Sequence, residues 1–130
     1  MTLLLWVLLP LHALTGFSLL GVALLHAIRL WRWRGIETGS EPLVWVLNLA
    51  YLLLPLGAFL EGLSIIRPDL LGTGPALHVW MVGALGLMTL VVMTRATLGH
   101  TGQSLVAGAG TKALFWMVIG STLSRVLAGF

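Results

Sequence analysis

Residues 77–102, LHVWMVGALGLMTLVVMTRATLGHTG, form an apolar run with one charged side chain, Arg95. A run of this length is long enough to cross a bilayer, and in lipid a single segment satisfies its own backbone polar groups only as a helix. Its polar members sit at fixed depths. His78 lies near the start, and Arg95 and the turn Gly99-His100-Thr101-Gly102 close the end. Polar groups held in a membrane helix are costly, so they mark function.

The rest of the chain follows the same rule. Of its 130 residues, 58% are hydrophobic and 8% are charged, where soluble domains carry roughly 25% charge. Seven cations and four anions cannot coat a soluble surface. The chain therefore reads as an integral membrane protein. Cysteine is absent, which excludes disulfides and thiolate metal sites. The net charge of +3 resides in cations at helix ends rather than in a patch, so nucleic acid is not a partner.

Residues 1–28 carry no charge and end in Arg29, Arg32 and Arg34. They lack a basic leader and exceed the roughly 7–15 apolar residues of a signal peptide core, so they read as a retained helix. The pattern predicts an all-α polytopic membrane protein, a single transmembrane domain over 1–130 with four transmembrane helices in an antiparallel bundle. Their expected bounds are about 3–33, 42–66, 75–98 and 105–129. Pro10 is expected to kink the first, because its ring clashes with the carbonyl four residues back. Trp31 and Trp33 alternate with Arg32 and Arg34 as an interface belt. Gly83 and Gly86 are spaced to let a neighbouring helix approach. Arg29, Arg32, Arg34, Arg95 and Lys112 fall on the first and third connections, which the positive-inside rule places in the cytoplasm, with both termini periplasmic.

All four histidines lie in or beside these runs, in two tiers: His12 and His78 at one end, His26 and His100 at the other. A neutral imidazole suits haem iron or copper, so all four are candidate metal ligands. The alternative is that each bonds backbone or interfacial water. His12 and His26 are fourteen residues apart, about 21 Å of rise with about 40° of rotation. Helix three offers no matching second imidazole, since Val92 is fourteen after His78. One haem pair, His12 with His78, is the geometry left. Glu61, nineteen residues into its helix and so about 28 Å along it, falls at their depth. It could orient a ligating ring, pair with a cation, move protons, or reach headgroup water. Asn48, at the opposite tier, could bond across helices or meet His26. Arg95 could hold a haem propionate or anchor to phosphate. Met81, Met88, Met93 and Met117 offer thioethers to copper, though scattered methionines in a membrane helix are usually packing.

The block Met93-Thr94-Arg95-Ala96-Thr97-Leu98-Gly99-His100-Thr101-Gly102, with Leu77-His78, Gly83, Gly86 and Met88-Thr89-Leu90 before it, resembles the NnrS family. Arg29–Gly35, Glu41–Leu47, Ala50-Tyr51 and Leu54–Gly57 extend the likeness, which covers about residues 29–105. The resemblance is to the C-terminal third of that family's longer proteins. It implies a bacterial inner-membrane protein of the nitric oxide stress and denitrification response, with bound haem b and copper. On that resemblance His12, His78, Arg95 and His100 become candidate cofactor contacts, with His26 a further ligand and Glu61 and Asn48 behind them. Asn48 stands where the family is expected to carry histidine, and Val79-Trp80 where it is expected to carry Ala-Leu. Nitric oxide is the implied ligand, and a homo-oligomer or larger membrane subunit would supply the missing helices. The alternative is a cofactor-free subunit that packs against a larger membrane complex.

Overall fold

The computed structural model describes residues 1–33 and 41–128. Arg34 and the polar loop after it lie outside the described residues. Within them every regular element is helical: α1 Thr2–Leu8, α2 Ala13–Arg32, α3 Pro42–Ile66, α4 Thr73–His78, α5 Leu87–His100 and α6 Ala109–Leu127. A π-helical segment, Val79–Gly86, joins α4 to α5. Backbone angles stay helical across both joints, so α4, the π segment and α5 are one rod.

Among the described residues three helices are long and apolar enough to cross a membrane: Ala13–Arg32, Pro42–Ile66 and Gly74–His100, of 20, 25 and 27 residues. At 1.5 Å per residue they span about 30, 37 and 40 Å, enough for a hydrocarbon core of about 30 Å. The fourth helix, α6, has 19 residues and is less apolar, with Lys112 and Arg125 near its ends. It packs against α4, the π segment and α5. The protein is a helical membrane bundle.

The first helix departs from expectation. It is broken at residues 9–12 rather than kinked within one span over 3–33. Proline has no N–H to give and disfavours helical geometry in the residue before it. Leu9 accordingly leaves the helix at φ −135°, ψ 62°. The freed Leu9 carbonyl accepts the hydroxyl of buried Thr15 at 2.7 Å. His12 then restarts the chain as the N-cap of α2, its Nδ1 accepting the Leu14 N–H at 3.2 Å.

α2 and α3 run antiparallel and close. A Cβ placed on Gly62 would lie 2.9 Å from the Gly16 carbonyl, and one on Gly16 would lie 2.7 Å from Ile66 Cγ1. Small residues permit this approach in lipid, where packing rather than water drives helices together. Farther along the same pair, His26 meets Tyr51 and Trp33 stacks on Tyr51 at 4.8 Å. Arg29 lies over the Trp33 ring at 5.2 Å. Gly83 receives Thr122 and Leu53, whereas Gly86 is exposed and meets no other helix. The main apolar cluster is built on Leu43, Ala50, Leu53, Val79, Leu87, Val91 and Phe115, and Thr15, Glu61, Ser64 and Thr122 are the polar residues buried with it. Large apolar side chains such as Phe17, Leu24 and Leu25 project outward. Such an exterior fits lipid as the surrounding phase.

Candidate functional site

His78 ends α4 where the π segment begins. Its Nε2 is buried and has no hydrogen-bond partner. An unsatisfied buried polar atom costs about 1–3 kcal/mol, and π-helical turns gather at functional sites. A neutral imidazole with a free, sheltered nitrogen is the donor that a metal takes.

Two residues on from His78, Trp80 crosses to α3. Its indole donates to the Leu54 carbonyl at 2.9 Å, in the turn that Pro55 interrupts. The ring lies where a Cβ on Gly57 would be, so glycine is required there by close approach. Trp6 of α1 meets Trp80 edge-on, with centroids 5.7 Å apart and planes at 87°. Edge-to-face is a favoured aromatic arrangement. Trp6 also donates its indole N–H to Glu61 Oε1 at 3.1 Å. Glu61 is 3% exposed, and its Oε2 is buried with no partner. Trp6, Glu61 and Trp80 thus tie α1, α3 and the π segment together. The sequence places Glu61 near the depth of His78 but gives it no partner. The signal was an unpaired carboxylate in a membrane helix, in a chain that offers indole donors.

His12 is exposed and acts as a cap. Its Nδ1 lone pair is engaged by Leu14 N–H, so the proton of the neutral ring lies on Nε2. In this conformation neither nitrogen is free to ligate. The α2 start and the α4 start lie at the same end of the bundle, because Gly16 faces Gly62 and Ile66. His12 and His78 are therefore both toward that end.

His26, half-buried, meets the Tyr51 hydroxyl at 2.7 Å through Nδ1. Tyr51 lies on the same helix as Asn48, three residues on. Arg95 and His100 are exposed near the end of α5. The glycine-histidine-threonine-glycine turn is a helix stop. Gly102 has φ +66°, Gly102 N–H donates to Gly99 O at 3.3 Å and Gln103 N–H to Leu98 O at 2.9 Å. That is the paired bonding of a Schellman cap, whose left-handed residue favours glycine.

Among the described residues no three His, Cys, Asp or Glu side chains converge to hold a metal ion. Of the histidines, His78 is the one that would offer a metal a buried, unengaged nitrogen, whereas Nδ1 of His12 and of His26 is taken by Leu14 and Tyr51.

A family model described as NnrS protein matches residues 1–130. No curated protein and no solved structure matches. The match spans the whole chain and so reaches beyond residues 29–105, where the sequence likeness was read. The chain belongs to the NnrS family.

Proposed function

We propose that this protein serves the nitric oxide response of the bacterial inner membrane by holding haem b through His78. The observation that carries the reading is the buried, unpartnered Nε2 of His78 at the head of the π segment. Family membership supports the nitric oxide connection. A haem iron held in lipid supplies a site for nitric oxide, which enters apolar phases and ligates reduced metals.

His12 is the second imidazole in this reading. Its ring must give up the Leu14 N–H, and an N-cap is worth only about 1 kcal/mol, less than a metal–nitrogen bond returns. Arg95 and His100 lie seventeen and twenty-two residues along the rod from His78, about 25 Å or more, so in this reading they serve a second group at the other membrane face, and His26 remains with Tyr51. Glu61, held by Trp6, fixes the packing of α1 on α3. The arginine-rich end of α2, the end of α5 and the start of α6 face the cytoplasm in this reading, which leaves both termini periplasmic.

The test is the absorbance spectrum of the protein extracted in mild detergent. A Soret band that His78→Ala abolishes supports the reading. A colourless protein that co-purifies in fixed ratio with a larger membrane protein favours the cofactor-free subunit instead.

A further inference from the structure

Away from the histidines, a groove of about 280 Å³ opens between the start of α3 and the start of α6. Its walls are apolar and aromatic: Pro42, Trp45, Phe115, Trp116 and Ile119, with Lys112 the charged member. Trp45 and Trp116 are 41% and 62% exposed, so the groove is open on its outer side. No ion pair is formed by Lys112 among the described residues, although the exposed Glu41 precedes Pro42. Pro42 opens α3, and Lys112 lies in the first turn of α6. The groove therefore sits at the ends of two helices, where a membrane protein meets the headgroups. Neither helix start has a side-chain cap, so both contribute partial positive charge beside the ammonium.

We infer that this groove binds an anionic phospholipid, with the headgroup phosphate on the Lys112 ammonium and an acyl chain along Trp45, Phe115 and Trp116. Three features meet here that a lipid needs together. A cation stands at the headgroup level, tryptophans flank it at the interface, and an apolar channel runs inward. The groove is open along Trp45 and Trp116, so it grips the glycerol end of a lipid whose tails continue into the bilayer. The site is independent of any haem.

The test is native mass spectrometry of the full chain taken from nanodiscs containing equal phosphatidylglycerol and phosphatidylcholine. The wild type is expected to retain one phosphatidylglycerol. Lys112→Gln should lose that preference by about fivefold, the effect of one lysine near an anionic surface, and Lys112→Arg should keep it. In vesicles of brominated phosphatidylglycerol, Trp45→Phe and Trp116→Phe should each reduce the quenching of tryptophan fluorescence. Equal retention of the two lipids by the wild type would overturn the site. So would displacement of the bound lipid by inorganic phosphate alone, or a second chain found in the groove in place of lipid. Brominated lipid with wild-type protein reads the site even where a variant fails to fold.

Discussion

The indole of Trp6 holds one oxygen of Glu61 at 3.1 Å and leaves the other buried without a partner. This bond is the polar tie between the broken-off N-terminal helix and the long helix α3. Removing the donor by Trp6→Phe leaves a carboxyl group with no partner on either oxygen and should destabilise the fold by about 1–3 kcal/mol. Glu61→Gln keeps an acceptor for the indole and should cost less. Thermal unfolding in detergent compares them, and a Trp6→Phe melt equal to wild type would show that the bond carries no stability.

Gly57 is the seat of Trp80. An added methyl would collide with the indole, and overpacking of this kind costs about 1–3 kcal/mol. Gly57→Ala should lower the melting temperature and free the Trp80 N–H from Leu54, seen as a shift in tryptophan emission. Gly21→Ala is the control. Nothing lies within 4 Å of a Cβ there, and alanine is favoured in a helix by about 1 kcal/mol. The prediction fails if the two substitutions behave alike.

These contacts show how far the sequence could be read. Long apolar runs bounded by Arg29, Arg32, Pro42 and Arg67 exposed the spans, because lipid demands length and hydropathy of any crossing helix. The bond between Trp6 and Glu61 was hidden. It depends on the chain turning at Pro10, a local event whose new direction is set by Thr15 and His12. Tyr51 as the partner of His26 was hidden for a similar reason, since a helical register between α2 and α3 follows from the Gly16–Gly62 contact and not from either helix alone. The π segment leaves no mark in hydropathy, so the exposure of His78 Nε2 to a vacant bond could not be read in advance. The four histidines and Glu61 could be singled out by cost in lipid, but not their pairing.

Gly102 ends the rod with φ +66°. An L side chain in that region costs about 1–2 kcal/mol. Gly102→Ala should fray the end of α5 by that amount, whereas Gly99→Ala, with nothing within 4 Å, should not. Hydrogen exchange at the amides of Gly102 and Gln103 reads the fraying, and unchanged protection there would refute it.

At the opposite end, Arg67 forks onto Asp69 at 2.9 and 3.1 Å. The guanidinium holds the Asp69 carboxyl below its ordinary range, and the carboxylate raises Arg67 in turn. Both groups are exposed, so water and salt screen the pair. A depressed carboxyl contributes above its unfolded pKa of about 3.9 and loses that contribution as pH falls through the lower folded value. The melting difference between wild type and Asp69→Asn should be small at neutral pH, shrink in salt and vanish in acid. A difference that grows as pH falls would reverse the assignment.

His12 offers the sharpest division between the two roles a histidine could play here. Asparagine is as good a cap as any residue but is a poor substitute for an imidazole on haem iron. His12→Asn should therefore keep the stability of α2, while His12→Ala should lose about 1 kcal/mol. If His12 pairs with His78 on haem, His12→Asn should retain the Soret band that His78→Ala abolishes, yet shift it from a two-imidazole to a one-imidazole spectrum. The unpartnered Nε2 of His78 makes it the stronger anchor, and the engaged Nδ1 of His12 makes it the one that must be released. A spectrum unchanged in His12→Asn would confine that residue to capping and leave His78 to find its opposite ligand on another chain.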